Sequence, residues 1–71
     1  FNTDCAIEFI DEQTACVVME VVQAEAGVIA ANAEWLNRVR EKCKVTGALL
    51  IFDEIQTGFG RTGTLWAFEQ F

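Results

Sequence analysis

The stretch from Ala48 to Gly63, A-L-L-I-F-D-E-I-Q-T-G-F-G-R-T-G, constrains the fold of this chain more than any other. Five apolar residues run into an acidic pair, and a glycine-punctuated loop follows. Ala48 to Phe52 shows no alternation of apolar and polar residues, the pattern of a strand covered on both faces in a parallel sheet. Asp53 falls where such a strand leaves the core. Ligands of open α/β sheets sit outside the carboxyl ends of the strands, which makes Asp53 the first candidate for chemistry.

A strand of that kind needs a parallel neighbour, and Ala15 to Met19 is a second unbroken apolar run, rich in β-branched valine, with Glu20 at its exit. Between the two runs, Ala33 to Val45 has the clearest helical period in the chain. Trp35, Leu36, Val39 and Cys43 share one face, while Arg38, Arg40, Glu41, Lys42 and Lys44 lie largely on the other. Asn32 is placed to cap the start of this helix, and Gly47 can take the left-handed conformation that closes it. Glu34 in the first turn and Lys42 and Lys44 in the last complement the helix dipole, and Glu34 and Arg38 are spaced for an i,i+4 pair. Strand, crossover helix and strand form a βαβ unit, whose strands are parallel. As neighbours they lie about 4.8 Å apart, so Glu20 and Asp53 are expected to converge at one rim.

The other segments carry less. Asn2 to Ile10 reads as a short helix, with Asn2 or Thr3 able to accept from its free amides and Ala6, Ile7, Phe9 and Ile10 forming an apolar side. Asp11 to Thr14 breaks the pattern. Val21 to Asn32, with Gly27 and several alanines, reads as a connection crossing the top of a sheet. After Gly63, Trp66, Phe68 and Phe71 form an aromatic cluster expected to pack rather than bind.

Two strands buried on both faces need more partners than 71 residues supply, so residues 1–71 read as part of a larger domain. The net charge of −6, with five basic residues in no stripe, argues against nucleic-acid binding. Cys5, Cys16 and Cys43 are odd in number, none lies in a C-x-x-C pair, and the chain has no histidine, which speaks against a metal site. Buried thiols in a reducing compartment, with cytoplasm as the default, are the expectation. No apolar run is of membrane length.

Several motifs compete at the acidic pair. L-L-I-F-D-E would suit the second acidic motif of a nucleotide triphosphatase, with Asp53 orienting magnesium and Glu54 activating water. That reading requires a G-x-x-x-x-G-K-[ST] phosphate loop, which is absent from these residues. Gly58, Gly60 and Gly63 match G-x-G-x-x-G, but five residues separate them from the strand, whereas the dinucleotide motif forms the turn directly. Glu54 faces away from Asp53 if the strand continues, which suits a structural role or a loop hydrogen bond. Gln56 offers a donor and an acceptor just past the rim. Arg61 could bind an anion or pin the loop. A non-catalytic packing segment is a third reading.

The segments M-E-V-V-Q-A-E-A-G-V-I (Met19 to Ile29) and L-L-I-F-D-E-I-Q-T-G-F-G-R-T-G-T-L-W-A-F-E (Leu49 to Glu69) closely resemble class III aminotransferases, nearest to the acetylornithine and ornithine branch. The resemblance implies a βαβ segment of the mostly parallel sheet in the large domain of a fold-type I transferase dependent on pyridoxal 5'-phosphate. It implies transfer of an ω-amino group from an acetylornithine- or ornithine-type donor to 2-oxoglutarate, in amino-acid metabolism such as arginine biosynthesis, by a homodimer with its active site at the subunit interface. By the same resemblance, Asp53 pairs with the cofactor's pyridine nitrogen and Gln56 hydrogen-bonds its phenolic oxygen. Glu20 matches an active-site glutamate that pairs with an arginine outside this segment and helps accommodate two substrates in turn. A carboxylate at the ring nitrogen keeps it protonated, so that the ring withdraws electrons. Val21 and Ala24 depart from the proline and glycine common in the family. The lysine that carries the cofactor, the phosphate-binding residues and the ring-stacking aromatic are expected outside these residues; Lys42 and Lys44, on the polar helix face, are not candidates.

Overall fold

Local signals build the central helix. In the computed structural model, which describes the whole chain from Phe1 to Phe71, helix α2 spans Ala33–Thr46. Asn32 accepts a hydrogen bond from the Trp35 amide through Oδ1 at 3.0 Å, and Gly47 closes the far end at φ 81°. Both ends stand where the residue chemistry requires. The face carrying Trp35, Leu36, Val39 and Cys43 is buried, and with Ile10, Val21, Ala31, Ala48 and Ala67 it makes up the buried core. Full burial of side chains such as Leu36 and Val39 contributes roughly 1.5–3 kcal/mol each.

Strands β1 (Cys16–Met19) and β4 (Leu49–Phe52) flank that helix in sequence and pair parallel, Cys16 opposite Leu49 and Met19 opposite Phe52. The expected βαβ unit is therefore present. The ladder runs one step further, because the Asp53 amide donates to the Met19 carbonyl at 2.8 Å. Both carboxylates thus leave the sheet at its carboxyl rim. Val17, Met19, Leu50 and Phe52 turn inward against the core. Their alternates face outward: Val18 is 62% exposed and Leu49 67%. Within these residues, the expected cover on both faces is realised on one face only. β1 and β4 make a sheet of two strands, each with a free outer edge, and parallel sheets need more strands and a second covering layer.

The connection after β1 is more ordered than a loose crossing. Val22–Gln23 (β2) and Ile29–Ala30 (β3) form a small antiparallel pair, Val22 opposite Ala30. Val21, which departs from the proline that the resemblance implies, is fully buried, and its carbonyl accepts from the Ala31 amide at 2.8 Å. Burial holds this backbone where a proline ring would otherwise restrict it.

Helix α1 is Asp4–Glu8, and neither Asn2 nor Thr3 caps it. Asn2 instead accepts from the Asn32 amide at 2.7 Å and donates to the Ala30 carbonyl at 3.0 Å, tying the amino-terminal segment to the start of α2. Trp35 reinforces this tie by donating from Nε1 to the Thr3 carbonyl at 2.7 Å. The expected Glu34–Arg38 pair does not form; Arg38 bonds Asp4 on α1 at 2.7 Å. Of the three thiols only Cys43 is buried, while Cys5 and Cys16 are exposed. Cys16 lies on the outward face of β1 and shares its lack of cover.

Candidate functional site

The chain turns immediately after β4. Asp53 uses Oδ1 to accept from the Ile55 amide at 3.0 Å, a local side-chain-to-backbone bond that fixes a turn. Its other carboxylate oxygen takes no hydrogen bond within the chain. The turn then closes through the Gly58 amide, which donates to the Glu54 carbonyl at 2.9 Å.

Glu54 points the other way, into the protein. Its Oε1 accepts from the Thr57 hydroxyl at 2.8 Å and the Ala67 amide at 2.6 Å, and its Oε2 accepts from the Phe68 amide at 3.2 Å. Ala67–Gln70 is a short 3-10 helix, and Glu54 satisfies two of its otherwise unpaired amides. The structural role expected for Glu54 is what the geometry shows. Thr57 is the one buried polar residue, and Glu54 is its partner. Gly58 is required by close approach: a Cβ there would stand 2.7 Å from Trp66 Cζ3 and 2.9 Å from the Glu54 carbonyl oxygen. The aromatic tail packs, as expected, with Phe68 stacked on Phe52 at 5.7 Å and Trp66 against Phe59 at 5.2 Å.

At the neighbouring exit Glu20 is half-buried and its carboxylate makes no hydrogen bond. Glu20 and Asp53 line one mostly apolar concavity of about 650 Å³, which also includes Val17, Val18 and Met19. Much of that space runs along the free edge of β1, where a further strand would pair; only the end bearing the two carboxylates belongs to the rim. Gln56 is exposed in the turn and does not line this concavity. Arg61 is exposed and forms no ion pair. Sequence reasoning missed Thr57 and the part played by the Ala67 and Phe68 amides. The i,i+3 spacing of Glu54 and Thr57 was the only available signal.

The family model for aminotransferase class-III matches residues 3–71. The chain belongs to the class-III aminotransferase family. It is 66% identical over 61 residues to an acetylornithine aminotransferase of Listeria monocytogenes, covering 86% of this chain and 16% of that protein. It is 54% identical over 71 residues to a LysW-aminoadipate semialdehyde/glutamate semialdehyde transaminase of Sulfolobus acidocaldarius, covering all of this chain and 18% of that protein. The crystal structure of N-acetylornithine aminotransferase from Stenotrophomonas maltophilia superposes with a TM-score of 0.90 at 46% identity, over 99% of this chain and 20% of that one. The class-III chain therefore spans a fifth or less of these relatives, and its βαβ unit is a segment of the large-domain sheet of a fold-type I aminotransferase. With that membership the triphosphatase reading lapses, and Glu54 is turned to the Thr57 hydroxyl and the Ala67 and Phe68 amides of its own chain.

Class-III aminotransferases are pyridoxal phosphate enzymes, and the donor set at this rim fits one end of that cofactor. A carboxylate with one unclaimed oxygen, at the carboxyl end of a parallel strand, suits a protonated ring nitrogen. No lysine stands here: Lys42 and Lys44 are near the end of α2 that leads into the start of β4, the opposite rim of the sheet.

Proposed function

We propose that the protein containing this chain is a pyridoxal phosphate-dependent aminotransferase, acting as a homodimer in the cytoplasm. It moves the ω-amino group of an acetylornithine- or ornithine-type donor to 2-oxoglutarate. The observation that carries this reading is Asp53, delivered to the sheet rim with one carboxylate oxygen held by the Ile55 amide and the other unclaimed, in a chain that matches the family over residues 3–71. The acetylornithine names of two relatives favour that donor class, and the aminoadipate semialdehyde relative favours the same ω-amine and semialdehyde chemistry.

When bound, the cofactor supplies an electron sink for the carbon that loses its proton. Asp53 holds the proton on the ring nitrogen that makes the sink effective. Gln56 hydrogen-bonds the phenolic oxygen from the turn beyond the rim. Glu20, free of internal hydrogen bonds, is available to an arginine from elsewhere in the protein and to release it when the second substrate enters. The test is glutamate formation by the full-length protein with acetylornithine and 2-oxoglutarate, with and without added pyridoxal phosphate. Failure of either substrate to turn over in the cofactor-loaded protein would reject the donor and acceptor named here.

A further inference from the structure

We infer that Glu54 is a positioning residue for the site: its carboxylate locks the turn bearing Asp53 and Gln56 onto the short 3-10 helix at Ala67–Gln70. This rests on the assignment of Asp53 to the cofactor's ring nitrogen, and it gives the second acidic residue of the pair a task of its own.

The backbone at Asp53 is held from the upstream side by the hydrogen bond from its amide to the Met19 carbonyl, 2.8 Å. Downstream, nothing in the sheet holds it, because β4 ends at Phe52. Glu54 supplies the missing constraint. Its two oxygens take three hydrogen bonds, from Thr57 within the turn and from Ala67 and Phe68 more than a dozen residues away. Bonds to an ionised acceptor are the strong ones. Thr57 is 5% exposed and Ala67 1%, so truncating Glu54 leaves buried donors unpaired unless the turn opens to water. Opening it displaces Ile55, whose amide holds Asp53 Oδ1 at 3.0 Å, and Gln56 beside it. The two carboxylates of the pair thus divide the work: Asp53 faces the ligand and Glu54 fixes where Asp53 stands.

The experiment compares Glu54→Ala, Glu54→Gln and Asp53→Asn in the full-length protein, reading pyridoxal phosphate affinity of the apoprotein by tryptophan fluorescence, kcat and donor KM, and Tm. Glu54→Ala is expected to weaken cofactor binding and lower kcat by about tenfold or more, the scale of a small misplacement of a reacting group, with little change in donor KM. Glu54→Gln is expected to recover most of both, because an amide oxygen still accepts from Thr57 and Ala67. A fall in Tm with cofactor affinity and kcat unchanged would overturn the inference and leave Glu54 a packing residue. If Glu54→Ala does not fold, Thr57→Val removes one of the three bonds and should shift the same two readouts in the same direction; unchanged affinity and kcat there would also overturn it. Asp53→Asn separates this inference from its premise. A response to Asp53→Asn without one to Glu54→Ala overturns the positioning role alone, whereas no response to Asp53→Asn overturns the premise and the inference with it.

Discussion

The two strand exits differ in how firmly they hold their carboxylates. At the end of β4, Asp53 is bonded through its own amide and its Oδ1, and its neighbour Glu54 staples the turn through three hydrogen bonds. At the end of β1, one ladder step away, Glu20 has no side-chain hydrogen bond, although the Val21 beside it is fully buried. A group that must hold one proton at one ring atom gains from a fixed position, because fixed dipoles cost no reorganisation during reaction. A group that serves two substrates in turn gains from freedom. The contrast suits the two roles proposed.

The largest effect is expected at the fixed exit. Asp53→Ala should lower kcat by about 10²–10³-fold, the scale of losing a preorganised electrostatic partner, as read from initial rates of glutamate formation by the full-length protein. Gly58→Ala attacks the fixity without touching a polar group, since its Cβ has no room beside Trp66 and the Glu54 carbonyl. A loss of about 1–3 kcal/mol in a urea titration is expected, the usual cost of overpacking; an unshifted midpoint would mean that the turn yields easily. Glu20→Gln should raise the KM of one of the two substrates by about tenfold and leave cofactor affinity unchanged. Equal changes in both KM values would break the contrast drawn here.

Two controls lie away from both exits. The Arg38–Asp4 pair is largely exposed, 51% and 73% for the two side chains, so Arg38→Ala should cost under about 1 kcal/mol in the same titration and leave kcat unaltered. Cys43 gives the smallest effect. Burial pushes its thiol pKa up, so the folded protein keeps a proton that the unfolded chain loses first. Its contribution to stability is therefore intact below about pH 8.5 and declines above it. Alkylation at mildly alkaline pH should label exposed Cys5 before Cys43, and the reverse order would contradict the packing of α2 on the sheet.

The sequence-legible parts of the fold share one property: their causes are close in the chain. Asn32, Gly47 and the Trp35–Leu36–Val39–Cys43 face announce α2 because capping, left-handed closure and helical period act within a few residues. The parallel pairing of β1 with β4 follows from the chirality of a crossover, and the shared rim of Glu20 and Asp53 follows from that pairing. The β2–β3 pair was illegible because a two-residue strand has no period to read, and Val21 within a valine-rich stretch does not show which valine is buried. Arg38 has a partner at the local i,i+4 distance and takes a remote one, Asp4, because α1 packs against α2. The mixed fate of the thiols has the same origin, for an apolar strand does not reveal which of its faces these residues cover.

By itself, the sequence determined that the chain carries a βαβ unit, that two carboxylates leave it at one edge, and which family it resembles, since residue identity, periodicity and handedness suffice for each. The tertiary structure alone decided that Glu54 fastens the turn to the 3-10 helix, that Arg38 pairs with Asp4 rather than Glu34, and that Asn2 ties the amino-terminal segment to the start of α2. Those outcomes depend on which donors arrive within hydrogen-bonding distance from residues a dozen or more positions away, and no local pattern encodes that arrival.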